Sequence, residues 1–175
     1  MDERINSFYS RPEILNAIKK SWKVDRSVAL AGFLTERGLK APGEMDNWRH
    51  IIIPDKFSFE GHLRIPEQRM LSAFAKTITG QTPVRDCAKR FKHGNYTILH
   101  DKDVQKPGIV ALLFLDDWDE SWGGYVAFMK DGETLYRFTP RRNTFLIVER
   151  KKGVRYFVKY INHRAGKRRL RIVSA

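Results

Sequence analysis

Apolar positions recur at helical spacing in two stretches of the first eighty residues, and the pattern then shortens to runs that fit strands. Ile14, Leu15, Ile18 and Trp22 repeat near 3.6 residues, with Pro12 early, and predict an amphipathic helix over Arg11–Trp22. A second stripe, Met70, Leu71, Phe74 and Ile78, predicts a helix over Pro66–Thr79, opened by proline and closed by Gly80. Between them Ser27–Leu34 reads as a strand passing into a loop at Ala41-Pro42-Gly43, and His50–Ile53 as a β-branched run closed by Pro54. Beyond Gly80 come Tyr96–Leu99, Gly108–Leu115, Gly124–Met129, Thr134–Phe138, Thr144–Val148, Val154–Ile161 and Arg169–Val173, separated by turn signals such as Lys130-Asp131-Gly132 and Lys151-Lys152-Gly153. Short strands following two helices predict a mainly β jelly roll or sandwich with N-terminal helices. No internal repeat or low-complexity linker interrupts the chain. The expectation is one domain over 1–175, with 1–80 as a helical and strand lead-in and 81–175 as the jelly-roll core.

Composition narrows the class. The 175 residues with 42% apolar content suffice for one core. The single cysteine, Cys87, excludes an internal disulfide framework and a multi-cysteine zinc ribbon. No stretch approaches the roughly 18 apolar residues of a membrane span, and Met1-Asp2-Glu3-Arg4 lacks the apolar region of a secretory signal. A cytoplasmic protein with no membrane partner is expected.

Charge adds a partner class. The formal net charge is +13, and twelve Lys or Arg against one acid, Glu149, fall between Pro140 and Ala175. Two readings stand: a solvated face whose charges keep a sheet edge from pairing, or a polyanion surface. The second would use Arg150, Lys151, Lys152, Arg155, Lys159, Arg164, Lys167 and Arg168, interleaved with Tyr156, Phe157 and Tyr160, against RNA, DNA or a ribosomal surface.

The chemistry-bearing series is Gly94-Asn95-Tyr96-Thr97-Ile98-Leu99-His100-Asp101-Lys102-Asp103. The strand Ile109–Leu115 follows, then Asp117-Trp118-Asp119-Glu120-Ser121-Trp122-Gly123-Gly124, Pro140-Arg141-Arg142-Asn143, and Arg169-Leu170-Arg171-Ile172. In this order it resembles the prolyl-hydroxylase-like branch of the 2-oxoglutarate/Fe(II) dioxygenases, which includes the ribosomal prolyl hydroxylases, over roughly Glu67 to Val173. The resemblance implies a double-stranded β-helix, a cupin-like jelly roll. It also implies an iron site of His, carboxylate and distal His, and an arginine that grips the far carboxylate of 2-oxoglutarate.

Carried over by residue, the first metal ligand falls on His100, the carboxylate on Lys102 and the distal His on Tyr156. The cosubstrate arginine falls on Arg169, with Arg168 or Arg171 as register alternatives. A tyrosine that assists the cosubstrate falls on Phe114, which forms the expected pocket wall with Tyr96. Two of three ligands are therefore replaced. A protonated Lys102 would repel Fe(II) by several kcal/mol at about 4 Å, and a neutral phenol is a poor Fe(II) ligand. Asp101 or Asp103 would restore a carboxylate only through a strand bulge, and His163 a distal ligand only through a register shift.

Three readings follow. The first is a non-catalytic pseudoenzyme with a degenerate facial triad, no cofactor, and a barrel pocket receptive to a small carboxylate or acidic side chain. The second is an active hydroxylase holding Fe(II) through His100 and Asp101 or Asp103 and 2-oxoglutarate through Arg169. The third is an iron-independent enzyme using Lys102, Tyr156 and His100 as acid and base. Cys87, His50, His62 and His93 form no catalytic or ligand pattern; Trp118 and Trp122 are expected to pack a turn.

Overall fold

The first apolar stripe becomes helix α1 (Pro12–Asp25), with Pro12 in its first turn and Arg26 ending it in the left-handed region at φ 55°. In the computed structural model, which describes residues 2–43, 48–53, 56–61, 65–84, 88–97 and 107–175, it lies beside β1 (Ser27–Ala31). The predicted Ala41-Pro42-Gly43 loop is instead the last turn of a helix, α2 (Glu36–Gly43). Its start is set by Thr35, whose Oγ1 accepts the Gly38 N–H at 3.2 Å. The second stripe forms α3 (Ile65–Thr79), and the Gly80 N–H closes it on Lys76 O at 2.8 Å.

Apart from three short turn helices (Ser7–Ser10, Glu120–Trp122 and His163–Ala165), the remaining elements are strands: β2 (Arg49–Ile53), β3 (Lys56–Gly61), β4 (Ala88–Phe91), β5 (Tyr96–Thr97), β6 (Gly108–Phe114), β7 (Val126–Lys130), β8 (Glu133–Phe138), β9 (Thr144–Arg150), β10 (Arg155–Val158) and β11 (Leu170–Ser174). They form a large antiparallel sheet ordered β1-β9-β6-β11-β4-β3-β2, with β5 on β3, and a smaller one ordered β10-β7-β8. The Thr97 hydroxyl oxygen accepts the Val158 N–H at 2.7 Å, tying the two sheets at β5. The lead-in thus contributes strands to the large sheet as well as helices to its back.

Because β6 and β9 are covered on both sides, their apolar runs are nearly continuous, and alternate residues serve two cores. Ile109, Ala111, Leu113, Phe145, Ile147 and Val173 face α1 and α3, where they meet Trp22, Leu71, Phe74 and Phe33. Val110, Leu112, Phe114, Leu146, Val148, Leu170 and Ile172 face the small sheet, where they meet Val126, Phe128 and Val158. The second core fills the space between the sheets, so every candidate for barrel chemistry must lie on that face. Among the described residues, no helix is long and apolar enough to cross a membrane.

Candidate functional site

Strand register decides which side chains enter the barrel. On β10, Tyr156 stands opposite Phe128 of β7, and the two rings stack at 5.4 Å with an interplanar angle of 25°. On β9, the alternation that sends Leu146 and Val148 inward sends Arg150 inward too, and it is 5% exposed. Its guanidinium carbon lies 5.7 Å from the centre of the Tyr156 ring, giving a stack of guanidinium, phenol and phenyl. Placing Arg150 on a polyanion surface is therefore corrected: a strand period of two puts it among core residues.

The cosubstrate arginine is corrected in the same way. Arg169 is exposed and precedes β11, whose inward positions are Leu170 and Ile172, exposed by 0% and 3%. Arg168 is also exposed, its guanidinium carbon 4.5 Å from the centre of the Trp122 ring. Arg171 points to the opposite face of the sheet. Its Nη2 and Nε donate to Asp116 Oδ1 and Oδ2 at 2.6 and 3.0 Å, and its backbone N–H donates to Oδ2 at 2.8 Å. That hydrogen bonding raises the guanidinium pKa further and fixes Arg171 in a cleft of about 280 Å³ with Leu39, Asp117 and Arg142. None of the three arginines reaches into the barrel.

Phe114 is fully buried and stacks on Phe138 at 5.1 Å, a core contact. Tyr96, half-buried on β5, meets Tyr160 at 6.3 Å at the end of the small sheet. His100, Asp101, Lys102 and Asp103, together with His62 and Cys87, lie outside the described residues. His163, the alternative distal ligand, is exposed in a short turn helix, and His50 and His93 are exposed as well. Trp118 and Trp122 do pack a turn, edge to face at 5.2 Å, with Trp118 Nε1 donating to Gly123 O at 2.8 Å.

Sequence reasoning missed Lys89, 8% exposed on β4 opposite Ile172 in register and so on the inter-sheet face. The Ala88-Lys89-Arg90-Phe91 strand hid this because charged residues occupy both of its middle positions. Lys89 shares the row of Phe114 and Thr144, whereas Arg150 lies six residues further along β9, about 20 Å at roughly 3.3 Å per residue. The two buried cations therefore serve opposite ends of the barrel. On the outer face, Arg90 stacks 4.9 Å over Trp48. Burial first, then the Arg169 and Arg171 charges, push its pKa down.

The donor chemistry can be compared with the metal that such a barrel would hold. Tyr156, to which the resemblance assigns the distal ligand, is a phenol beside the buried Arg150 guanidinium. Among the described residues, no three His, Cys, Asp or Glu side chains gather into a ligand set. Tyr156 and Arg150 alone make no Fe(II) ligand set, and the candidates His100, Asp101 and Asp103 lie outside the described residues.

The two facing sheets and helix-covered back form a jelly roll, and comparison with known proteins places it among 2-oxoglutarate/Fe(II) oxygenase folds of the prolyl-4-hydroxylase-like branch. A Pseudomonas putida prolyl-4-hydroxylase superposes with TM-score 0.62 at 13% identity, covering 91% of this chain and 96% of that one. A Trichoplax adhaerens prolyl hydroxylase, solved with a hypoxia inducible factor oxygen degradation domain peptide fragment, gives TM-score 0.65 at 9% identity, covering 99% and 95%. The chain belongs to the family described as "Oxoglutarate and iron-dependent oxygenase degradation C-term", whose model matches residues 62–175.

Among curated proteins, prolyl 3-hydroxylase OGFOD1 of Xenopus laevis is 31% identical over 86 residues, which is 46% of this chain but 17% of that protein. The Mus musculus protein of that name is 31% identical over 81 residues, 44% of this chain and 15% of that protein. The matched segment is less than a fifth of the length of these relatives.

Proposed function

We propose that this chain is a non-catalytic jelly-roll module: a 2-oxoglutarate oxygenase fold that binds partners without holding ferrous iron. One observation carries the proposal. Tyr156, at the distal-ligand position implied by the resemblance, is stacked on Phe128 beneath the buried Arg150 guanidinium. The inward leucine and isoleucine of β11 support it, because a cosubstrate carboxylate would meet hydrocarbon where a bidentate arginine is needed. In this reading the prolyl hydroxylation named for the relatives is not performed by this module. Any barrel ligand in this reading is a small carboxylate or acidic side chain.

Equilibrium dialysis against Fe(II), followed by chromatographic measurement of succinate formed from 2-oxoglutarate, tests the proposal. The expected result is iron well below one equivalent and succinate at the buffer rate, with or without a prolyl peptide. One equivalent of iron with succinate released above that rate overturns it.

A further inference from the structure

The basic segment that the sequence presents as one run is divided by the fold. Lys151 and Lys152 sit in the β9–β10 turn, whereas Arg164, Lys167, Arg168 and Arg169 sit beyond the other end of β10. At that far end three loops are laced together through their backbones. Gly94 N–H donates to Ile161 O at 2.9 Å, and Ile161 N–H to Asn95 O at 3.0 Å. Asn162 N–H donates to Trp122 O at 2.9 Å, and Gly124 N–H to Lys159 O at 3.1 Å. The approach is close enough that a Cβ on Gly123 would lie 2.0 Å from Tyr160 O, so glycine is required there. The Asn162 side chain bridges the loops, donating to Ser121 O at 2.7 Å and accepting the Arg164 N–H at 2.9 Å.

Lys92, His93, Lys159, Arg164, Lys167, Arg168 and Arg169 are all exposed on these loops. Continuing the β4–β11 register from Phe91 and Leu170 places Arg169 opposite Lys92. Among the described residues, no carboxylate pairs with Lys159, Arg164, Lys167 or Arg169. The acids of the 119–124 loop are engaged within their own surroundings: Asp119 caps the Ser121 N–H at 2.8 Å and Glu120 pairs with Arg137. Within this positive field stand aromatic faces. Tyr160 is 45% exposed and meets Tyr96, and Trp122 lies under the Arg168 guanidinium.

We infer that this end of the barrel binds single-stranded nucleic acid, its cations tracking phosphates and Tyr160 offering a stacking platform for a base. Acidic proteins and anionic membranes would use the charges too, and they are competitors in the test below. The open Tyr160 face favours base stacking, which tolerates any sequence because every base has a π-face. The lacing of the loops fixes the surface before binding, so little ordering cost remains to be met on association. The inference is independent of the non-catalytic reading, since the cations named and Tyr160 are exposed and are not among the inter-sheet core residues.

The test is fluorescence anisotropy of labelled twelve-nucleotide oligouridine and oligothymidine with the 175-residue chain. Competitors are polyglutamate, a duplex of equal length, and phosphatidylcholine/phosphatidylserine vesicles. Affinity should fall about 50-fold between 50 and 200 mM salt, as expected for roughly four phosphate contacts to a single strand. Arg164→Glu with Lys167→Glu should weaken binding at least tenfold. Tyr160→Ala should weaken it about fivefold or more, the loss of one stacked base. Lys151→Glu with Lys152→Glu, the same charge change at the opposite end, should alter it less than twofold, and circular dichroism should show all variants folded. Absence of saturable binding at 50 mM salt overturns the inference. So do equal losses from the two double charge reversals, full retention by Tyr160→Ala, or preference for polyglutamate, duplex or vesicles over the single strands.

Discussion

Phe33→Ala should lower the free energy of unfolding by about 3–5 kcal/mol. The residue has 0% exposure and lies outside every predicted helix stripe, yet it joins three parts of the chain. Its ring stacks on Phe145 of β9 at 4.5 Å, meets Phe74 of α3 edge-on at 4.9 Å, and lies 5.7 Å from Tyr9. The backbone around it is fixed by Asn143, whose backbone oxygen accepts the Phe33 N–H at 3.0 Å and whose side chain accepts from Leu34 N–H and donates to Leu34 O, both at 2.8 Å. With the flanking backbone so held, the site cannot collapse onto the removed ring, and the cost approaches the upper end of the range. Urea denaturation followed by tryptophan fluorescence measures it, and a loss under about 1 kcal/mol would show that the lead-in is not anchored through this cluster.

Leu170→Arg is the second large effect. It supplies an arginine at an inward β11 position, one residue from Arg169, to which the resemblance assigns the cosubstrate arginine. If the barrel retained an open cosubstrate site, the new guanidinium would find a carboxylate and the protein would gain affinity for 2-oxoglutarate. In the packing seen here, the side chain instead enters a core of Phe91, Phe114 and Ile172, all buried. A charge there without a partner is expected to destabilise by roughly 3 kcal/mol or more. Thermal unfolding with and without 2-oxoglutarate separates the cases. The expected result is a large fall in midpoint that 2-oxoglutarate does not rescue; a stable variant whose midpoint rises with 2-oxoglutarate would contradict this packing.

Much of the scaffold was legible because burial on both faces writes itself into composition. Gly108–Leu115 is apolar at nearly every position, and it became the central β6. The helix over Pro66–Thr79 carried both its stripe and its end signals and moved by one residue at its start. What stayed hidden had weak or contrary local signals. Helix α2 has few apolar positions and ends in Pro-Gly, so its only advance mark was Thr35 three residues before Gly38. Strand β4 holds Lys and Arg at its centre, where composition argues for surface although register puts Lys89 inside.

The site was legible as a family likeness and less so by residue. A run of like charges reads as one exposed face, but a strand alternates, and continuing Leu146, Val148 by two would have placed Arg150 in the core. The same parity separates Leu170 and Ile172 from Arg169 and Arg171, so the arginines named from the resemblance fall off the inward face. Only the pairing of β11 with β4 and β6 fixes which set points inward.

A crystal structure of the chain grown with excess Mn(II) and 2-oxoglutarate, with anomalous maps at the manganese edge, bears most directly on the proposal that the barrel has given up iron chemistry. The account predicts no anomalous peak beside the Tyr156 phenol, with Arg150 still over its ring and Leu170 and Ile172 still packed inward. A manganese peak with three protein donors there, and 2-oxoglutarate held by an arginine, would contradict it.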